Sequence, residues 1–333
     1  MVSRKVCRHL AVVAAIFGSV HAFACCGAGP MGVAIHFHGQ QNIIVWDDAT
    51  KTEHFIRNAS FQSSANDIGF IAPTPTIPQL EEVDGTAFRV LAQLEPVDWS
   101  KTLGMEGPAP QAGAGGIEVL QEVDVANYHA VTLRASDAEA LSKWMKENGY
   151  HTTDQVKKWT DFYIRKNWVL TAFKVKMKGG TGSTGLVKMS FKTERPFNPY
   201  LVPAENAPDP NKRNPGLRLF FVSSTAVRAI NGPASATLKP KWHAQVAGDN
   251  AESLKTSLKL DSLPRNAIVT TFVDRSFPNI DATDDLYFAS NSIGGGANWV
   301  PLLGVVAGVC VVICVGMLMN HKRNPAIGEL SEL

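Results

Sequence analysis

Cysteine is scarce, five in 333 residues, which is too few for a disulfide scaffold. Neither sign of charge dominates: 32 Lys and Arg against 30 Asp and Glu give a formal net charge of +2. That balance argues against a basic nucleic-acid binder and against an acidic tail protein. No His-Glu-x-x-His, Gly-x-Ser-x-Gly or Gly-Lys-Ser/Thr motif occurs, so no metalloprotease, nucleophile elbow or P-loop announces itself. Long apolar runs are missing from the interior and confined to the two ends. Forty-five per cent hydrophobic residues are nonetheless enough for a globular core.

The two ends give an address. Arg4, Lys5 and Arg8 precede an apolar stretch from Leu10 to Val20 and a small-x-small site, Ala22-Phe23-Ala24. This is the pattern of a secretory signal peptide over residues 1–24, with Cys25 first in the mature chain. Residues 299–319, from Trp299 to Met319, carry no charge. As a helix they would span roughly 31 Å, the thickness of a bilayer's hydrocarbon core. His321, Lys322 and Arg323 follow at once, so the positive-inside rule puts a tail of 320–333 in the cytoplasm and residues 25–298 outside. Clipping after Gly294-Gly295-Gly296 is the alternative to a retained anchor. Gly304 and Gly308 form a GxxxG step through which two such helices could meet in a homo-oligomer. Of the charged residues, 27 basic and 28 acidic fall within 25–298. The positive balance therefore belongs to the ends.

With Cys7 in the leader and Cys310 and Cys314 in the membrane segment, only Cys25 and Cys26 face an oxidising compartment. Adjacent Cα atoms lie about 3.8 Å apart, below the usual disulfide range of about 4.4–6.8 Å. Lipidation, an intermolecular bridge or free thiols fit this pair better than a bond between them.

The exterior segment predicts a meander of strands: Val33–His38, Asn42–Trp46 and Thr52–Arg57, with turns at 39–41 and 47–51. That register sets Phe37, Ile44 and Phe55 in one row, and His36, Val45 and His54 in the other. Three prolines between Ile68 and Pro78 predict an extended, edge-like segment. Residues 104–116 and 203–215 predict mobile loops. Ser136-Asp137-Ala138-Glu139 is a capping box that opens a helix ending at Gly149, with Leu141, Trp144 and Met145 inward. A second helix is expected from about Asp154 to Lys166, and further strands near 117–123, 127–134, 168–175, 186–192, 217–223, 235–246 and 267–273. Mostly antiparallel strands with one helical pair define an α+β class.

Three sets of residues invite a chemical reading. His36 and His38, at i,i+2 in a strand, share a face and are candidate metal ligands, with His54 joining them in the predicted register. Asp281, Asp284 and Asp285, near Asp274, are acidic neighbours without a calcium loop, and are expected in a solvated turn or helix cap. Gly27–Gly32 and Gly180–Gly185 match G-x-G-x-x-G, but neither has the strand before and helix after that a dinucleotide site requires. No catalytic residue and no cofactor is assigned.

Ala24-Cys25-Cys26-Gly27, Phe70–Pro75, Tyr128–Leu133, Ala140–Trp144, Asn148-Gly149-Tyr150, Tyr163–Val175 and Asp284–Tyr287 together resemble a bacterial envelope family known as domain of unknown function 2330. The likeness covers most of residues 25–290. It implies an exported, membrane-anchored domain and brings no catalytic residue with it. The expectation is a single-pass envelope protein with its N-terminal domain periplasmic or extracellular, acting as a non-enzymatic binding or structural module on an envelope partner. The alternatives are an envelope hydrolase or transferase whose site forms only in the fold, and a metal-binding protein using His36 and His38.

Overall fold

The computed structural model describes residues 26–28, 35–63, 67–96, 118–126, 128–150, 152–176, 180–183, 185–203, 216–230, 238–277 and 282–291. These belong to a compact unit ending at Asn291. They hold sixteen strands and four helices. The predicted leader, membrane segment, tail and loop 104–116 lie outside the described residues, as do 204–215 of the second loop.

One sheet has five antiparallel strands in the order β1 (Cys26–Ala28), β4 (Asp67–Thr74), β8 (Val169–Lys176), β7 (Tyr128–Arg134) and β6 (Glu118–Val125). The larger sheet runs β14 (Trp242–Gln245), β15 (Ile268–Asp274), β12 (Leu217–Ser223), β2 (Ile35–Asp47), β3 (Thr52–Ser63), β10 (Leu186–Lys192) and β5 (Gln79–Val83), with β9 (Gly180–Ser183) also on β3. Only β12 with β2 is parallel among these described pairs. A small third sheet joins β11 (Phe197–Asn198), β16 (Leu286–Ser290) and β13 (Val227–Ala229).

Period-two burial builds four layers from these parts. Ala72, Ala130 and Phe173 on the five-stranded sheet meet Ile44, Phe55, Leu219, Phe221 and Phe272 on the larger one in a central core. The opposite face of the first sheet (Ile71, Val131, Leu133, Leu170) is covered by α2 (Ala138–Glu147) and α3 (Asp154–Arg165). The opposite face of the second (Ile43, Ile56, Phe220, Val222, Val269) is covered by α1 (Thr86–Gln93) and α4 (Gly248–Ser257). Each sheet thus has both faces covered, as a layered α+β domain requires. The expected helical pair is α2–α3; α1 and α4 form a second pair.

The predicted turn at 39–41 is corrected: β2 runs unbroken from Ile35 to Asp47. Its partner β3 sets Phe37 opposite Phe61, with a bulge between Phe37 and Gly39, while Ile44 faces Phe55 and Val45 faces His54 as expected. The polar run is held inside rather than turned out. Gln40 and Asn42 are buried, Gln40 Nε2 donates to Asn42 Oδ1 at 3.2 Å, and Asn42 Nδ2 donates to Asn198 Oδ1 at 2.6 Å. The second turn forms where predicted. Asp47 Oδ1 accepts from the amides of Ala49 and Thr50, an Asx-type closure. In β4, Pro73 pairs with Leu170 at a point beyond the reach of β1, whose partners end at Gly69 and Ile71. The strand has a ladder on one side only there, which a residue without an N–H tolerates.

The cap of α2 is Asp137, one residue beyond the predicted Ser136. Asp137 Oδ1 accepts from the Ala140 amide at 2.8 Å, and Ser136 Oγ donates to Asp137 Oδ2. The carboxylate, an acceptor at a helix N-terminus, wins the position. Gly149 follows at φ +75°, the left-handed stop that its lack of a side chain permits. Thr153 caps α3, and Val156, Trp159 and Tyr163 face inward.

Candidate functional site

A groove of about 1310 Å³ lies on the helix-covered side of the large sheet, beside β3, β10 and β5. Its floor follows from strand alternation. Val45, His54, Ser190 and Gln79 form one row across β2, β3, β10 and β5. His54 and Ser190 lie directly opposite, and His54 Nδ1 shares a 2.8 Å hydrogen bond with Ser190 Oγ. Burial, and then the neighbouring Lys188 ammonium, push the His54 imidazole down to about 4, against the pull of Asp47 and Asp261. His54 is therefore neutral at pH 7.

One wall is made by the chain leaving α4, Lys259–Arg265. Lys188 fixes it. This buried side chain reaches Glu81 Oε2 at 2.8 Å and donates to the carbonyls of Leu258 at 2.9 Å and Lys259 at 2.7 Å. A cation on the last carbonyls of a helix satisfies groups the helix itself leaves open. The other wall is the 47–52 turn with Pro75–Ile77. Lys192 Nζ donates there to Thr50 O at 2.7 Å and Thr52 Oγ1 at 2.8 Å, both neutral acceptors that leave its charge uncompensated. Lys259, Arg265 and Arg134 also line the groove, against the carboxylates Asp47, Glu81 and Asp261. Since Lys188 is matched by Glu81 and Arg134 lies 3.5 Å from Glu118 Oε2, Lys192, Lys259 and Arg265 remain against Asp47 and Asp261.

A second polar cluster lies inside the protein. Asp285 and Glu53 are both fully buried. Asp285 Oδ1 accepts from Tyr163 Oη at 2.8 Å and the Tyr200 amide at 2.9 Å, and Glu53 Oε2 accepts from the Phe197 amide at 2.9 Å. Two carboxylates thus latch the segment 197–201 onto the core. Desolvation raises Asp285 to about 6 and holds Glu53 well above the usual carboxylate range. The expectation of a solvated turn is corrected for Asp285, which is enclosed, and for Asp274, which is buried and accepts from Tyr200 Oη. Asp281 lies outside the described residues. Tyr163 and Tyr200, distant in sequence, supply the donors that make this burial tolerable.

Of the sequence-predicted ligands, only His54 reaches the groove. His36 pairs with Gln62, while His54 pairs with Val45, eight positions away on β3 and roughly 26 Å along the strand. The row joining His36 to His54 depended on the turn at 39–41 and is lost with it. His38 is the extra residue of the bulge. The described residues contain no group of three or more His, Cys, Asp and Glu placed to hold a metal ion. Cys26 begins β1 opposite Ile71; Cys25, Gly304 and Gly308 lie outside the described residues. Among the described residues no helix is long and apolar enough to cross a membrane. Ser190, Lys188, Lys192, Lys259 and Arg265 had no local motif to mark them. They converge through strand pairing and through a helix end that only the fold brings near.

Fold and site together define a four-layered α+β domain with an open, cation-rich groove. Residues 20–245 match the family described as an uncharacterised protein conserved in bacteria (DUF2330), and the chain belongs to it. No curated protein and no solved structure matches the chain.

Proposed function

We propose that this chain is a single-pass envelope protein whose exported domain is a binding module, and that the groove over β3 and β10 takes an extended anionic chain. The observation that carries the reading is the gathering of Lys192, Lys259 and Arg265 around one groove, in a segment of 27 basic and 28 acidic residues. Such a groove concentrates field lines and attracts an acidic partner without making the whole domain basic. The charge-free run 299–319 and the basic residues after it support the anchor and its orientation.

A fluorescent oligo-glutamate peptide, titrated against the detergent-solubilised chain, tests the groove. Binding is expected to weaken with added salt and to fall roughly tenfold in a Lys259→Ala, Arg265→Ala double variant. Equal affinity of that variant and the parent would sink the proposal.

The hydrogen bond between Ser190 and His54 supports a second reading, an envelope hydrolase or transferase with Ser190 as nucleophile and His54 as base. An imidazole held down near 4 is neutral and able to accept a proton, but is a weak base at pH 7. Binding is therefore the better-supported use of the groove. Turnover of an activated ester by the parent chain, abolished in Ser190→Ala, would reverse that order.

A further inference from the structure

Charge does not account for the whole lining of the groove. Only two large apolar side chains are exposed among the described residues, Val119 at 44 % and Ile77 at 46 %, and Ile77 stands in the groove wall. Single apolar residues are common on protein surfaces, so the setting of Ile77 decides what it means. Pro75 and Pro78 stand on either side of it, and a residue before proline is confined to extended backbone. Thr76 ties the segment to β10: its Oγ1 accepts from the Lys192 amide and donates to the Lys192 carbonyl, each at 3.0 Å. The isoleucine is thus held out on a rigid strap, beside the uncompensated Lys192 ammonium.

The other wall repeats the pairing of charge with apolar surface. Leu263 and Pro264, both half-buried, fall between Lys259 and Arg265, and Lys188 tethers that wall at the Leu258 and Lys259 carbonyls. Walls fixed before binding lower the ordering cost of taking up a partner. The floor between them is polar and largely neutral. His54 and Ser190 bond to each other, while the exposed Gln79 offers an amide N–H and a carbonyl together. From β2 to β5 the floor row crosses three strand spacings, about 14 Å, the length of about four extended residues.

This lining narrows the chemistry of the occupant. A polyphosphate or an acidic polysaccharide would meet the cations, but would set charge or hydroxyls against Ile77 and Leu263. A wholly apolar chain would leave Lys192, Lys259 and Arg265 unanswered. A peptide supplies carboxylates, apolar branches and backbone amides in one extended chain, and an apolar anchor within a polar rim is the usual anatomy of a protein contact. We infer that the occupant of the groove is a segment of a partner protein, extended across the strands, in which an apolar side chain flanked by acidic ones packs on Ile77. This rests on the reading of the groove as an anion site and adds the apolar anchor to it.

Two fluorescent peptides of equal length and charge, Glu-Glu-Leu-Glu-Glu-Glu and Glu-Glu-Ala-Glu-Glu-Glu, titrated against the detergent-solubilised full chain, test it. The leucine peptide is expected to bind roughly tenfold tighter, the effect of partly burying one such side chain. Ile77→Ser is expected to bind the two peptides alike, whereas Val119→Ser, outside the groove, should keep the tenfold preference. Thermal unfolding checks that both variants are folded. The Lys259→Ala, Arg265→Ala variant should weaken both peptides together. Equal binding of the two peptides by the parent overturns the inference and leaves the groove to anionic chains without apolar branches, such as polyphosphate. A leucine preference that survives Ile77→Ser overturns it too, since the apolar contact then lies elsewhere. Binding of neither peptide removes the anionic reading as well.

Discussion

Three buried titratable side chains pull stability in opposite directions with pH. His54 is held near 4 against an ordinary 6.5. Between those values the unfolded chain binds the proton that the folded chain refuses, so this group's contribution rises with pH and is lost as pH falls. Asp285, raised from 3.8 to about 6, does the reverse. Its folded form keeps a proton that the unfolded chain releases, so its contribution falls as pH climbs from about 4 to 6. Glu53, also raised, adds to that fall. At about 1.4 kcal/mol per pH unit, the His54 and Asp285 effects are each about 3 kcal/mol and largely cancel. Urea unfolding across pH 4–7 should therefore show a shallow decline in the parent. A Glu53→Gln, Asp285→Asn double variant should instead gain stability as pH rises, and His54→Leu should decline more steeply than the parent. Identical profiles in all three proteins would show that these groups are not enclosed as described. None of this was legible in sequence, where His54 was one of a histidine row and Asp285 one of an acidic run. Their burial is decided by Tyr163, Ser190 and Tyr200, residues that sit beside them only after folding.

At the scale of elements, the helices divide by how much of their stability is local. For α2 the sequence carries both ends, with Asp137 capping and Gly149 stopping it, and a stripe of Leu141, Trp144 and Met145 between. Removing the cap with Asp137→Ala should lower the urea midpoint with an unchanged slope. In contrast, α1 and α4 have no side-chain cap, and α4 buries only Leu254 and Ser257 of its ten residues. The weak stripe of α4 explains why periodicity did not find it, whereas α1 buries Ala87, Phe88, Val90 and Leu91 at helical spacing but is only eight residues long. The end of α4 depends on Lys188, a residue about seventy positions away that an alternating strand pattern presents as one more solvent-facing lysine. Lys188→Met removes the cation from Glu81 and from two helix-end carbonyls. The expected cost is about 1–2 kcal/mol, because the Leu258 carbonyl stays buried while Glu81, about a third exposed, can turn to water. Hydrogen exchange should locate the loss in α4 and residues 258–260, with α2 and α3 protected as before. Uniform loss of protection would contradict a local tether. Strand existence was more legible than strand register: the Asn42–Trp46 and Thr52–Arg57 runs pair as expected, but β2 continues through Gly39-Gln40-Gln41. Gln40 and Asn42 look like part of a polar turn until Asn198 accepts from Asn42, which in turn accepts from Gln40, inside the fold.

For the molecule as a whole, the α+β class was visible in composition and pattern, while the layering was not. Alternation along a strand says that one face is apolar; it does not say whether the other face meets water or helices, as both faces here meet apolar partners. The whole-chain arrangement makes the address testable apart from the fold. The compact unit ends at Asn291, and the charge-free run begins at Trp299, so only a short connection separates them. If 299–319 spans the membrane with Lys322 and Arg323 inside, every described element lies on the far side from the cytoplasm. Protease added outside spheroplasts carrying the full chain should then degrade the domain while sparing an epitope placed after Leu333. Protease added to inverted membrane vesicles should do the opposite. Alkaline carbonate should leave the full chain in the membrane pellet, and a chain ending at Asn291 should be released by osmotic shock. Release of the full chain by carbonate would remove the anchor. Protection of the domain in spheroplasts would invert the topology, and the groove would then face cytoplasmic rather than envelope partners.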